Sequence, residues 1–380
     1  MRVVDSVCKY ICGDVRLHGG WSLVAGGDII MVTAENAGED EDSKSETGGG
    51  RIYMEDKLKM LPLLCCWAAE RKAPRAWYGK LASLDDTSFF VQKLGKRLTI
   101  VLVYVDDILV TENDTAYITA FISELNNHFP VKDLGALHYF LGLEVSISSV
   151  GIFLSQFKYI LDLIKKTNMV GCKPCSSPAV ANAQLTYEGD LLPDPSSYTS
   201  IVGALHYFTW SRPEISFAVQ QVCQFMSQPT THHLTAVHRI LRYLKGHIDF
   251  GICFTKGPMT LHGYSDADWA GAVTDSRSIG GFCIYFGSNP ISWSAKKQAT
   301  VSRSSTESEY KALVIAAAES YWICRLLIKD LHFTLSSSSR LGCDNVSSIS
   351  LASNPVMHSK MKSLGVDFHY VRELVRLKLL

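Results

Sequence analysis

The sequence predicts an α+β chain that contains more than one domain. Strand-like runs rich in Val and Ile alternate with amphipathic helical periods along most of the 380 residues. Hydrophobic residues make up 47% of the chain, which excludes disorder over its whole length. Because a domain usually has about 100–200 residues, the length indicates two or three domains.

The composition of the chain limits which partners it can bind and in which cellular compartment it is expected. Lys plus Arg and Asp plus Glu each total 37, so a nucleic acid has to bind through local patches rather than through a global field. Eleven scattered cysteines without a recognisable signal peptide predict a reduced intracellular protein, cytoplasmic or nuclear and not secreted. The apolar stretches are shorter than the roughly 18 residues of a membrane span, so no membrane partner is expected. Nothing in the pattern indicates an oligomeric state.

Residues 1–50 have no assigned role. Residues 35–50 hold six acidic residues and four glycines, a mixture that buries little and repels itself. This segment is predicted to be a disordered linker. The residues before it contain short apolar pieces but no long period.

Residues 51–170 contain the run TIVLVYVDDILVT at 99–111, which predicts a hairpin with Asp106 and Asp107 at its turn. The alternative is a polar turn between two buried strands, with no chemical role. A helix over 114–129, strands over 139–147 and 151–154, and a helix over 157–168 are predicted next. Residues 171–257 are predicted to be a loop followed by helices. An isolated pair, Cys172 and Cys175, favours a loop over a zinc site because no second pair completes four ligands.

Residues 258–380 have the pattern of a mixed α/β domain, with a three-stranded meander, a long helix over 306–331, a short strand and two further helices. Carboxylates fall on four of these elements. Asp266 is predicted at the end of the first strand, Glu309 in the first turns of the long helix, Asp344 at the tip of the fourth strand, and Asp367 near the last helix. Several acids on separate elements are what a pair of Mg²⁺ ions requires.

Each acid also has a structural alternative. Thr306 and Glu309 fit a capping box, and Asp344 fits the cap of the helix that follows it. Asp266 fits a turn that precedes Trp269, with the indole packed into the core. Only the combination of acids favours a metal site.

Several motifs of this chain resemble copia-type LTR retrotransposon Pol polyproteins. YSDADWAG, STESEYKAL, LGCDN and DFHYVRE resemble the RNase H domain, while YVDDILV, FLGLEV, SIVGALHYFTWSRPEISFAV and LRYLKG resemble the reverse transcriptase region. The resemblance runs from about residue 51 to 376. It implies a partial, N-terminally truncated palm over 51–170, a helical thumb and connection region over 171–257, and an RNase H-like domain over 258–380.

The resemblance implies Mg²⁺-dependent cleavage of the RNA strand in RNA/DNA hybrids. Asp266, Glu309, Asp344 and Asp367 match the catalytic metal ligands, and His358 matches a histidine that assists water activation or product release. The basic side chains that resemble contacts to nucleic acid are Lys72, Arg75, Lys80, Lys296, Lys297 and Arg303. The motif around Asp367 departs from the family pattern, because Lys360–Gly365 contain no acid.

The polymerase half lacks a motif like LDVNNAFL, in which the family carries a third aspartate. Asp106 and Asp107 are therefore interpreted as a polymerase remnant, and DNA synthesis is predicted to be lost. Two alternatives remain open: a catalytically inactive retroelement relic or hybrid-binding protein, and a polymerase completed by another chain.

Overall fold

A computed structural model describes residues 13–16, 22–25, 28–34, 89–94, 97–104, 107–112, 114–128, 131–181, 183–353 and 365–380. Helices and sheets are both present, which confirms the α+β class. The chain divides into two compact units, one of residues 1–138, 149–151 and 325–333, the other of residues 139–148, 152–324 and 334–380. None of the described helices is long and apolar enough to cross a membrane. The predicted boundaries near residues 50, 170 and 257 stay predictions.

The first unit contains a five-stranded antiparallel sheet. After a separate hairpin of β1 (Gly13–Arg16) and β2 (Ser22–Ala25), its strands are β3 (Asp28–Ala34), β4 (Phe89–Leu94), β5 (Arg97–Tyr104), β6 (Asp107–Glu112) and β7 (Val131–Ala136). Their order in the sheet is β4-β5-β6-β3-β7. Helix α1 (Thr115–His128) packs its apolar stripe, including Ile118, Phe121 and Leu125, against sheet residues such as Val101 and Val110.

The predicted hairpin around the two aspartates is confirmed. Strands β5 and β6 pair antiparallel, and Tyr104 lies opposite Asp107 at the turn end. On its other side β6 pairs with β3, which comes from the N-terminal part of the chain that has no predicted role. In that register Thr33 lies opposite Asp107. The N-terminal segment therefore contributes a central strand to this sheet.

The second unit begins with a sheet in the order β11-β10-β9-β8. Its strands are β8 (Tyr139–Phe140), β9 (Leu143–Ile147), β10 (Gly151–Ser155) and β11 (Ile252–Thr255). The prediction of one strand over 139–147 is wrong, because Leu141 and Gly142 have φ values of 49° and 69° and turn the chain back on itself. Two successive positive φ angles are typical of the tightest hairpin turns.

Four helices pack together in the same unit. They are α2 (Phe157–Lys166), α3 (Pro195–Phe208), α4 (Ser216–Cys223) and α5 (Thr231–Gly246). Their buried faces share one core, which includes Leu163, Val202, Leu205, Val219 and Leu244. Asp194 caps α3 by accepting a hydrogen bond from the Ser196 amide at 2.9 Å.

A second sheet in this unit has the order β14-β13-β12-β15. Strands β12 (Leu261–Ala272), β13 (Arg277–Phe286) and β14 (Asn289–Lys297) form the predicted antiparallel meander, and β15 (Arg340–Gly342) runs parallel to β12. Asp266 lies within the twelve-residue β12 rather than at a strand end, because the strand continues past it to a bulge between Asp268 and Ala272.

Three helices accompany this sheet: α6 (Ser305–Arg325), α7 (Val346–Ser353) and α8 (Gly365–Arg376). A π-helical turn over Leu326–Asp330 ends α6 where the sequence predicts that the helix continues. Tyr310, Leu313, Leu351, Val371 and Leu374 form a core between the three helices. Helix α6 also lies close to β13, since a Cβ atom on Gly280 would be 3.3 Å from the Cβ of Ala312.

Candidate functional site

The register of two parallel strands positions Asp266 and Asp344. Tyr264 of β12 is paired with Gly342 of β15. Two residues further along each strand direction come Asp266 and Asp344. Because parallel strands advance at the same rate, this register carries both aspartates to the same end of the strand pair.

Helix α6 supplies the third acid. Gly280, which packs against Ala312 of this helix, is the strand partner of Ala267. Glu309 lies three residues before Ala312, hence on the same side of the helix and one turn nearer its N-terminus. The Glu309 carboxylate consequently reaches the backbone N–H of Ala267 and the side chain of Asp266.

Glu309 is 7% exposed, and its Oε2 atom has no hydrogen-bond partner. Burial, which is the largest cause, and the negative charges of Asp266 and Asp344 together raise the pKa of Glu309 to about 7. A hydrogen bond from the Ala267 amide opposes the shift. A buried carboxylate beside two others is destabilised in its charged form unless a cation joins it.

The alternative of a capping role for Glu309 is wrong. Ser304 accepts a hydrogen bond from the Glu307 amide at 3.2 Å, and Glu307 Oε2 accepts one from the Arg303 amide at 3.0 Å. Glu307 Oε1 also pairs with Lys311 Nζ at 3.0 Å. The N-terminus of α6 is therefore capped by Ser304 and Glu307, which leaves Glu309 without a structural duty there.

The structural alternatives for the two aspartates are wrong as well. Asn345 Oδ1 accepts a hydrogen bond from the Ser348 amide at 3.0 Å, so Asn345 caps α7 and Asp344 does not. Trp269 is 55% exposed, and its Nε1 donates to the Ser302 carbonyl at 3.0 Å instead of packing into the core. Asp268 is tied to the sheet by a hydrogen bond from the Ile279 amide.

Cys343 joins the acids, which sequence reasoning does not predict. Its Sγ and one carboxylate oxygen each from Glu309 and Asp344 all lie within 4.8 Å of one another. Burial raises the pKa of the Cys343 thiol, and the neighbouring carboxylates add to the rise. The signal available in the sequence is its position in LGCDN, directly before Asp344.

The remaining predicted site residues are described only in part. Asp367 belongs to the first turn of α8, where the structure gives the backbone alone, and His358 lies outside the described residues. Lys72, Arg75, Lys80 and Asp106 also lie outside the described residues. Lys296 and Arg303 are exposed, whereas Lys297 is half-buried and pairs with Asp275 at 2.8 Å.

Comparison with known proteins identifies the family. Residues 63–181 match the family described as Reverse transcriptase (RNA-dependent DNA polymerase). The retrovirus-related Pol polyprotein from transposon RE1 of Arabidopsis thaliana is 46% identical over 318 residues, or 80% of this chain. The chain belongs to the copia-type retrovirus-related Pol polyproteins. The predicted family is thereby confirmed, and the chain carries a reverse-transcriptase-like domain.

Two further relatives of this Pol chain are shorter proteins. An uncharacterised mitochondrial protein of Arabidopsis thaliana is 46% identical over 222 residues, which are 58% of this chain and 92% of that protein. A putative transposon Ty5-1 protein of Saccharomyces cerevisiae is 33% identical over 217 residues, which are 55% of this chain and 70% of that protein. The chain spans 22% of the length of the RE1 polyprotein.

Proposed function

We propose that residues 258–380 form an RNase H-type nuclease domain that cleaves the RNA strand of RNA/DNA hybrids in the presence of Mg²⁺. The observation that carries this proposal is the meeting of Asp266, Glu309 and Asp344 from three separate elements. The mixed sheet order β14-β13-β12-β15 with α6 packed near its centre is consistent with such a domain. The RNA/DNA hybrid is the proposed partner.

The donor set fits Mg²⁺. All three acids offer carboxylate oxygens, the hard ligands that this ion prefers. The buried Oε2 atom of Glu309 lacks a hydrogen-bond partner, and it would be compensated by coordinating a bound cation. Asp367 is the proposed fourth ligand, and His358 is proposed to assist the departure of product. When bound, Mg²⁺ lowers the pKa of a coordinated water and stabilises the leaving oxygen.

The chain itself holds these ligands in place and grips the hybrid. The burial of Glu309 and the position of Asp266 within β12 hold these two side chains near their ligating positions before substrate arrives. Lys296 and Arg303 are exposed, and both precede Glu309 by fewer than 15 residues in the sequence. We propose that they contact phosphates of the hybrid, together with Lys297. Such contacts recognise the shape and backbone of a hybrid rather than its sequence.

Cleavage of a labelled RNA/DNA hybrid by the purified chain tests this function. We expect cleavage with Mg²⁺, none with EDTA, and loss in Asp266→Asn. The matched control is Asp268→Asn, which lies two residues away on the same strand, retains the oxygen that accepts from Ile279, and should keep most of the activity. If the folded wild-type chain binds hybrid but never cleaves it, the chain is an inactive relic or a hybrid-binding protein and the proposal is wrong.

We further propose that this chain does not synthesise DNA. Strand β3 lies beside the hairpin strand β6, and it offers Thr33 opposite Asp107. The other described side chains of β3, Ile29 to Val32, are apolar. They therefore contribute no carboxylate that could bind a metal ion together with Asp107. A polymerase site with too few anionic ligands cannot hold its two ions in register.

Primer extension on a poly(rA) template with Mg²⁺ checks the lost polymerase activity. The purified chain alone should add no nucleotides under conditions in which an active reverse transcriptase extends the primer fully. Extension by the chain alone would show that another group replaces the missing acid. Extension that begins only when a second protein is added would favour a polymerase site completed by that partner.

A further inference from the structure

A thiol stands among the acids of the proposed nuclease site. Cys343 Sγ lies within 4.8 Å of ligating oxygens of both Glu309 and Asp344. Carboxylates alone favour hard ions such as Mg²⁺, whereas a thiolate favours softer ions, Zn²⁺ above all. Cys343 therefore changes which metals this group of side chains can hold.

The burial of Glu309 is a second, independent indication of a cation at this point. The residue is 7% exposed, and its Oε2 atom has no hydrogen-bond partner. An anionic oxygen that is removed from water and left unpaired costs free energy, which a bound cation recovers. The orphaned oxygen belongs to the same three-residue group as the thiol.

We propose that Cys343, Glu309 and Asp344 bind a thiophilic divalent cation of the Zn²⁺ class, and that this ion excludes Mg²⁺ from the nuclease site. Binding converts the thiol and the free ion into a zinc–thiolate and one proton, and the proton passes to solvent. No electron is transferred. The inhibitory part rests on the proposed nuclease function, whereas the binding part does not.

The geometry requires only a modest contraction. Zinc–sulfur distances of about 2.3 Å and zinc–oxygen distances of about 2.0–2.2 Å place neighbouring donors of a tetrahedral ion about 3.5 Å apart. The described donors span up to 4.8 Å, and Asp344 is exposed enough to rotate inward. Water completes the fourth position. The bound ion then occupies two of the three acids on which the nuclease depends.

Cobalt(II) tests the binding directly, since it takes Zn²⁺ sites and gives a near-ultraviolet absorption band when a thiolate is bound to it. We expect titration of the full chain to produce this band with one equivalent of Co²⁺, and Zn²⁺ to abolish it. The titration uses a background in which Cys172 and Cys175 are both serine, which removes the CxxC pair as a source of the band.

Substitution then assigns the band to its ligands. It should disappear in Cys343→Ser, weaken in Glu309→Gln, and persist in Cys253→Ser, which changes an exposed cysteine elsewhere. Thermal unfolding curves confirm that each variant is folded. Absence of the band in the parent chain, or an equal band in Cys343→Ser, would overturn the proposal.

Inhibition provides the second measurement. With millimolar Mg²⁺ present, micromolar Zn²⁺ should suppress hybrid cleavage, and Cys343→Ser should need at least about tenfold more Zn²⁺ for half-inhibition relative to its own zinc-free rate. Equal sensitivity of the two proteins would show that the thiol does not hold the inhibitory ion. If the parent chain does not cleave hybrid at all, the nuclease function fails while the Co²⁺ band still decides the metal site.

Discussion

Replacing Glu309 with glutamine is expected to stabilise the metal-free protein at pH 8 and to reduce hybrid cleavage at least about 100-fold. The loss of activity follows because a direct metal ligand should matter more than the surrounding groups, whose removal already costs about 10- to 100-fold. The gain in stability follows because glutamine removes a buried charge that Asp266 and Asp344 repel. This one substitution is therefore expected to raise the stability of the metal-free protein and to lower its cleavage activity.

The direction of the pH dependence follows from the pKa of Glu309. In the folded protein this pKa is raised from 4.5 to about 7, so the folded state binds the proton more tightly than the unfolded state. The stabilisation from this group is complete below pH 4.5 and is lost as the pH rises through 7. The shift corresponds to about 3 kcal/mol at most. Glutamine cannot ionise, so the variant should lack this decline.

Chemical denaturation in EDTA at pH 5.5, 7 and 8 measures the effect. The difference in unfolding free energy between Glu309→Gln and the wild type should grow with pH, and Mg²⁺ at pH 8 should stabilise the wild type more than the variant. Glu307→Gln is the matched control, because Glu307 is also buried on α6 but pairs with Lys311 and the Arg303 amide. That variant should be destabilised. If the difference in unfolding free energy between Glu309→Gln and the wild type did not change with pH, the charged form of Glu309 would not be destabilised in the folded protein.

Much of the candidate site follows from local sequence signals. Asp266 and Glu309 belong to elements whose type is recognisable from periodicity, and Asp344 lies two residues beyond such a strand. The motif resemblance indicates that these parts of the chain converge. Local signals also misled in one respect: Thr306 and Glu309 fit a capping box as well as Ser304 and Glu307 do. The structure decides between the two pairs, because α6 begins at Ser305 and Ser304 takes the cap.

What the sequence does not predict depends on pairing over long distances. Strand β3 is a short apolar run with no period of its own, and its partner β6 lies about 80 residues later in the chain, a separation that propensity does not encode. Cys343 is missed for a similar reason, since its approach to Glu309 requires α6 and β15 to be placed first. The turn at Leu141 and Gly142 is missed because leucine rarely adopts a positive φ.

Arg212 is the site of the second large expected effect, because it is a charged side chain at 1% exposure. Its Nε pairs with Glu214 at 2.6 Å, its Nη1 donates to the His247 carbonyl at 2.8 Å, and its Nη2 has no hydrogen-bond partner. The guanidinium also lies 5.6 Å from the ring centre of Phe250. This buried charge therefore depends on one carboxylate.

Glu214→Ala should destabilise the fold by about 3 kcal/mol, the lower end of the range for breaking a buried pair, because Glu214 itself is 35% exposed. Denaturant unfolding of this variant, of Arg212→Met and of the Arg212→Met/Glu214→Ala double variant measures the coupling between the two side chains. The double variant should be more stable than Glu214→Ala, since no charge is left uncompensated.

The control is Glu373→Ala, which breaks an arginine–glutamate pair that is exposed on both sides. Glu373 pairs with Arg376 at 2.7 Å, and its loss should leave the stability of the fold unchanged. Equal effects at Glu214 and Glu373 would mean that burial does not amplify the interaction of Arg212.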